Sequence, residues 1–561
     1  MGMKMRILMT VAAITTATSA ETSKVWKQFS NDWTAGKASV IPDYSWAGYK
    51  YGTEAIPDVA WKVFDVTKFG ALPNDGKSDY AGIQRAIKAA EANGSGIVFF
   101  PPGRFLVAEE EGIQESILIQ GANIVLRGSG SGADGTEIHQ EHNYVPLDVA
   151  KKWTTPPIFL FTPDHPQGKM HLYNQRENAV RLARIIKPVS RETFSVEVDD
   201  ASQFKPGQTV SVRAQSTELN GPFLKGLKPR DIFTEIIENG VSVAEKHTVA
   251  SIQGSRVTFV EPIRIDIDPS IEWTVYDYPT VEGWGVEDLH FTGNCPVPFV
   301  HHKDFIHDSG YTGMRMEQGR NSWIRRCRFT DMTHGFLASG CLASSFIMNT
   351  MDGDQGHGNF SMNWGSGNLI GLCQDLTDKG SFHGCGISHE NVGGVIWRYE
   401  SVGATKQTPR CGGPDFHAQF PYCSLWDIST ANLRDNGGSY VWQPNHLQDL
   451  TFWNFEQIGE KIYHDYWNMP KTDEEKKDKY FGKTKVVYPN YIGFHGVMSE
   501  FNRDHLELFE SYGAPVEPES LYEAQLALRL GAAPDWVCAA KDEWKRVKAM
   551  HRKAVLLKGK P

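Results

Sequence analysis

Residues 64–107 read FDVTKFGALPNDGKSDYAGIQRAIKAAEANGSGIVFFPPGRFLV, and the order of signals in this stretch decides the fold. A short apolar strand ends at Phe69-Gly70-Ala71, and a polar turn with Asp75 and Asp79 follows. Ile83, Ile87 and Ala90 then recur at three- and four-residue spacing, which predicts a helix with one apolar face. Gly94 to Gly96 end that helix. An aromatic and β-branched strand comes next and stops at Pro101-Pro102-Gly103. One helix thus sits between two short buried strands at the start of a long β-rich chain.

Further along, the strand signal repeats. WIRRCRFTD (323–331), SFIMNTMDG (345–353), LIGLCQDLTD (369–378), VIWRYESVG (395–403), LWDISTANL (425–433) and LTFWNFEQI (450–458) start about 22 to 30 residues apart, and VEDLHFTG (286–293) precedes them. That is the length of one solenoid coil, each coil needing its neighbours to bury its inner face. The leucine spacing of leucine-rich repeats is absent, and propeller blades would be longer.

With these coils behind it, Phe64 to Val107 resembles the N-terminal cap and first coil of the pectate-lyase-like superfamily. VEPESLYEAQLALRLG (516–531) resembles the closing segment of several secreted proteins of that fold. The resemblance singles out no characterised family. It implies an all-β chain folded as a right-handed parallel β-helix with an N-terminal capping helix; alternating strands with hairpin-like turns over 170–280 add a β-rich insertion, and the helical spacing of SLYEAQLALRL (520–530) a partly helical C-terminal tail. It also implies a secreted protein acting on polysaccharide, with its chemistry in a groove along the coils.

Length and composition agree. The chain has 561 residues, 53 of them Gly, and 11% are aromatic, which suits strands and turns better than a helical bundle. A formal charge of −10 without a long basic run argues against nucleic acid as a partner. Lys4 and Arg6, an apolar run from Ile7 to Ala17 and small residues at 18–20 predict a secretory signal over 1–20, too short to span a bilayer. Secreted or periplasmic placement follows. The layout is an extension at 21–60, cap and first coils at 61–169, the insertion at 170–280, main coils at 281–460 and a C-terminal extension at 461–561. The insertion and the N-terminal extension are the expected walls of the groove. Six cysteines fall between 327 and 423 without zinc spacing. Cys411 and Cys423 are near enough in sequence to pair, and the others read as buried thiols.

Strand parity locates the groove. NFSMNW (359–364) sets Asn359, Ser361 and Asn363 against Phe360, Met362 and Trp364. DFHAQF (415–420) sets Asp415, His417 and Gln419 against Phe416, Ala418 and Phe420. CGISHE (385–390) places Cys385, Ile387 and His389 on one face, and YVWQPN (440–445) places Gln443 and Asn445 opposite Trp442. Asn363, His389, Gln419 and Asn445 each lie six residues before the next strand, so they are expected to stack. Ser361, Ile387, His417 and Gln443 form the neighbouring column. His357 and His383 each lie twelve residues before theirs and are expected together at the groove edge.

Such a patch suits β-elimination of a uronate glycoside. That reaction needs a group to neutralise the carboxylate, a base for the C5 proton and an acid for the leaving oxygen. His389 and His417 are the candidate bases, with Asp415 to orient an imidazole or help hold a cation. Asn363, Gln419, Arg398, Arg410, His357, His383, Glu390 and Trp364 are candidate substrate contacts. An acidic polysaccharide or oligosaccharide is the expected partner.

Two alternatives stand beside this reading. A glycoside hydrolase would use paired carboxylates, drawn from Asp352, Asp354, Asp375, Glu390 and Asp415. Gly356-His357-Gly358 matches one motif of the polygalacturonases, but Asn349-Thr350 runs into Met351 and no Arg-Ile-Lys follows. A non-catalytic carbohydrate-binding β-helix would need only amides and rings. No cofactor is certain and the metal is left open. Asp352-Gly353-Asp354 resembles a fragment of a calcium loop, without the spacing that completes one.

Overall fold

The computed structural model describes residues 20–163, 179–402, 412–434, 437–477 and 485–558. Three parallel sheets of twelve, ten and six strands wrap one elongated core, the arrangement of a parallel β-helix. Successive coils pair in register. Val286, Ile324, Phe346, Ile370, Ile396, Trp426 and Phe452 form one continuous inward row in the first sheet.

The corners explain the repeat. Between the first and second sheets each coil turns on one left-handed residue: Asp288, Arg326, Met348, Leu372, Arg398, Ile428 and Asn454 all have φ between 48° and 60°. One such residue breaks the extended geometry without a loop, at a cost of about 1–3 kcal/mol for a non-glycine. Stacking offsets that cost. Inside, Phe291 and Phe329 stack with centroids 5.0 Å apart, and Phe336 and Phe360 at 4.8 Å. Asn349 and Asn368 are fully buried and hold the coils by their amides, accepting from Cys327 and Ser344 N–H and donating to the Ile324 and Cys341 carbonyls. Removing one ring, as in Phe329→Ala, would cost about 3–5 kcal/mol.

The helix Tyr80–Ala92 covers one end, with Ile83, Ala86, Ile87 and Ala90 wholly buried. Asp79 holds the preceding turn to the next coil by accepting the Leu72 and Leu106 N–H groups, both at 2.7 Å. The insertion contains a six-stranded antiparallel sheet within Arg181–Asp277. It docks on the corners of the main coils: Tyr422 donates to Glu245 at 2.6 Å, and Lys246 N–H to Ser366. The helix Leu521–Leu530 lies on the first sheet, where Asp427 accepts from Ser520 and Leu521. None of the described helices is long and apolar enough to cross a membrane.

Cys327, Cys341, Cys373 and Cys385 are free thiols buried in the core, where burial pushes them well above the usual thiol range. Cys423 is also free and buried, and Cys411 lies outside the described residues, as does the expected signal over residues 1–19.

Candidate functional site

The six-stranded sheet carries a cavity of about 280 Å³ on its outer face. Thr312–Glu317, His334–Ser339, Phe360–Asn363 and Gly386–Ser388 run side by side there. Their outward positions line up as Arg315, Leu337, Ser361 and Gly386, with Asp415 bridged to Gly386 one coil further on. The next outward row is Glu317, Ser339, Asn363 and Ser388. Coils lie about 4.8 Å apart, so Arg315 and Asp415 mark the two ends of a floor about 19 Å long.

Strand parity placed Asn363, Ser361 and Asp415 correctly and misplaced two neighbours. Ser388, not His389, pairs with Asn363. His389 (φ 47°) and Trp364 (φ 49°) are both the left-handed residue that follows a strand of this sheet, as are Gln318 and Gly340. That turn aims both side chains into the groove, and their rings meet with centroids 4.5 Å apart. Trp364 is therefore in the groove rather than the core, and His389 is there by its turn and not by the alternation of Cys385 and Ile387, which are core residues.

Several other expected contacts lie elsewhere. Gln419 and Glu390 do not line the cavity; the Gln419 carbonyl accepts from Glu390 N–H and extends the coil. Gln443 and Asn445 are fully buried. The Gln443 side chain accepts from Lys485 N–H, and the Asn445 amide donates to the Phe416 carbonyl. Arg398 is a first-sheet corner residue and pairs with Glu519 and Glu523 of the C-terminal extension, at 2.7 and 2.8 Å. Arg410 lies outside the described residues. The calcium-like Asp352 is closed off by Arg328 and Thr330. Asp375 is taken up by Thr377, Ser381 and Asn359. Asp352 and Asp375 are thus structural, and of the carboxylates expected for a hydrolase Asp415 lines the cavity while Asp354 and Glu390 do not.

Imidazoles dominate the end of the cavity near Asp415. The Asp415 oxygens both lie 2.7 Å from His417 Nδ1, and Oδ1 is also 3.1 Å from His383 Nδ1. Ionised carboxylates only accept, so both imidazoles donate from Nδ1; His383 Nε2 then meets His301 Nε2 at 3.3 Å. Burial alone would raise the Asp415 carboxyl, but the charges and hydrogen bonds of His417 and His383 hold it well below the usual range. His389 is pushed down to about 4, by burial and then by His417, so it is neutral at neutral pH. His357 and His383 do come together, as expected: Gly358 bridges to His383 and the rings are 5.0 Å apart.

Reading the sequence missed Arg315, Glu317, His334, Trp153 and His301. Arg315 and Glu317 sit on TGMRME (312–317), whose alternation carries the signal and continues the same rows, whereas His334 pairs with Thr312 and shares the parity of the buried Phe336 and Ala338. His301 and Trp153 come from irregular segments with no period. Their segments build the groove's edge, with Lys152 Nζ donating to the His302 carbonyl at 2.8 Å and Trp153 exposed in the groove. Among the described residues, neither the insertion nor the N-terminal extension supplies a lining residue. Glu317 is buried, which raises its carboxyl pKa despite Arg315 3.9 Å away.

Among the described residues, three groups of side chains have ligand atoms close enough to share a metal ion: His301, His357 and His383; His302, Asp308 and His357; and His383, Asp415 and His417.

Residues 63–216 match the family described as rhamnogalacturonase A/epimerase, pectate lyase-like. Residues 380–540 match a domain of unknown function, DUF4955. A segment of 69 residues is 39% identical to mannuronan C5-epimerase AlgE3 of Azotobacter vinelandii; it covers 12% of this chain and 4% of that enzyme. The tailspike gp49 of Pseudomonas phage LKA1 aligns over 77% of this chain and 64% of its own, with 12% identity and a TM-score of 0.41. The A-module of the Azotobacter vinelandii epimerase AlgE6 aligns over 80% and 91%, with 13% identity and a TM-score of 0.33. Overlaps this short and scores this low leave substrate and reaction to the groove itself.

Proposed function

We propose that this pectate-lyase-like parallel β-helix is a secreted or periplasmic lyase that cleaves a uronate-containing polysaccharide by β-elimination. The observation that carries the reading is the Asp415–His417 pair: a buried carboxylate fixes one imidazole nitrogen and leaves the other facing a polar groove. A base so held removes the C5 proton to Nε2 while the C4–oxygen bond breaks. Ser388 and His389, joined at 3.0 Å, stand in the same groove to relay a proton to the leaving oxygen. Asn363 and Ser361 offer hydrogen bonds to the sugar, Trp364 and Trp153 offer faces to stack on, and Arg315 meets the carboxylate of a unit further along the chain.

A second reading, hydrolysis by paired carboxyls, is disfavoured by the spacing: Glu317 and Asp415, the two carboxyls that line the cavity, stand about four coils or roughly 19 Å apart, against about 5–10 Å for such a pair. One assay separates them. The protein is incubated with a panel of uronate-containing and neutral polysaccharides, and ultraviolet absorbance and reducing ends are recorded together. Absorbance rising with reducing ends supports elimination. Reducing ends alone support hydrolysis, and neither across the panel supports a binding protein.

A further inference from the structure

Beside the elimination base lies a group of imidazoles that the proposed reaction does not use. His301 Nε2 and His383 Nε2 are 3.3 Å apart. His357 donates its Nδ1 proton to the Asp308 backbone carbonyl at 2.8 Å, and a carbonyl can only accept, so Nε2 carries a lone pair. That Nε2 is sealed from solvent and has no hydrogen-bond partner. One ring nitrogen from each of the three lies within 4.8 Å of the others. We infer that His301, His357 and His383 form a three-imidazole site for a divalent transition-metal ion, of which Zn²⁺ fits best.

The geometry and chemistry agree. Two nitrogens bound to one tetrahedral Zn²⁺ at about 2.0–2.1 Å lie about 3.3–3.4 Å apart, the separation already present between His301 and His383. Ligating histidines are oriented by a carbonyl or carboxylate on their second nitrogen. Asp308 serves His357 in that way, and Asp415 serves His383 at 3.1 Å. An apolar backing fixes the rings: Phe382 stacks on His301 with centroids 4.0 Å apart, and Phe299 on His357 at 5.9 Å. Calcium is disfavoured, because it takes oxygen ligands in larger number.

Three protein ligands leave a fourth position for water or substrate. His357 and His383 line the groove, and His383 and His417 have ring centroids 4.6 Å apart, so that position lies near the base. If the lyase reading holds, the ion is the group that neutralises the uronate carboxylate. Binding itself does not depend on that reading.

The test uses the full chain, stripped with a chelator and titrated with Zn²⁺ alone by calorimetry, with Co²⁺ absorption as a second readout. The expected result is one Zn²⁺ per chain and a visible Co²⁺ spectrum of tetrahedral type. His301→Ala and His357→Ala should each abolish stoichiometric binding, Asp415→Asn should weaken it about ten- to a hundredfold, and the remote His495→Ala should leave it unchanged. Circular dichroism shows that the variants are folded, and His357→Gln, which keeps the volume, stands in for any that is not. Absence of a stoichiometric site in the wild type, or a site that survives in folded His301 and His357 variants, overturns the inference. The readouts need no substrate, so an inactive protein that binds Zn²⁺ would count against the lyase alone.

Discussion

The Asp415 carboxylate places both oxygens 2.7 Å from the same nitrogen of His417. A carboxylate that could solvate itself in water would not give up two lone pairs to one N–H. Here it is buried, and its other neighbour, His383, takes only one oxygen. The pair fixes the His417 tautomer and points its second nitrogen at the groove.

Asp415→Asn removes the charge and leaves the imidazole in place. Turnover on a uronate polymer should fall about 10²–10⁴-fold, as when a general base is lost. His417→Ala should fall by as much, and the double variant no further. Initial rates of unsaturated-product formation check this.

Gly437 packs against the His417 ring at φ 34°, and a methyl group built on it would overlap the imidazole. Gly437→Ala should therefore displace the base while leaving the coils intact. The expected result is a fall in kcat of about tenfold or more, toward the loss of the base itself. The melting temperature should stay close to that of the wild type. A melting curve and a rate measurement on the same preparation test both halves.

Arg315 stands at the far end of the floor, about four coils from Asp415. Arg315→Ala should raise KM for an acidic polymer about ten- to a hundredfold, the worth of one charged hydrogen bond, with a smaller effect on kcat. Steady-state kinetics on long and short oligouronates separate binding from chemistry: the shortest substrate, which cannot reach Arg315, should be nearly indifferent.

Most of the scaffold was legible in the sequence because it rests on local rules. The cap announces itself by an apolar helix face between Gly-bounded strands, and the coils by a period that every unit repeats. The groove was legible only where parity holds. Asn363 and Asp415 follow it. Trp364 and His389 do not, because one left-handed residue after a strand reverses the face; Gly340 at the equivalent place was the available hint. Arg398 illustrates another limit. Its sequence neighbours suggest the groove, but the coil carries it to the opposite sheet, where Glu519 and Glu523, more than a hundred residues later, bind it. His301 lies in a loop whose path no periodicity encodes.

A buried cluster inside the insertion predicts a pH effect on stability. His247 lies 3.0 Å from both Glu245 and Glu261 in a fully buried position. Burial by itself would lower its pKa, but the hydrogen bonds and charges of the two glutamates raise it to about 9. A raised folded-state pKa means the stabilisation is complete below the unfolded value, about 6.5, and is lost as pH rises through about 9. The loss is on the order of 3 kcal/mol, at about 1.4 kcal/mol per pH unit. Melting temperatures across this range should fall with rising pH, and His247→Gln should remove most of that slope.

Elimination and hydrolysis in this groove are told apart by the mass of the products released from a uronate polymer in water labelled with heavy oxygen. Elimination breaks the bond without consuming water. The products should carry unsaturated, unlabelled non-reducing ends whose formation is lost in His417→Ala. Saturated ends, with one labelled oxygen incorporated at each cleavage, would contradict it and give the groove to hydrolysis.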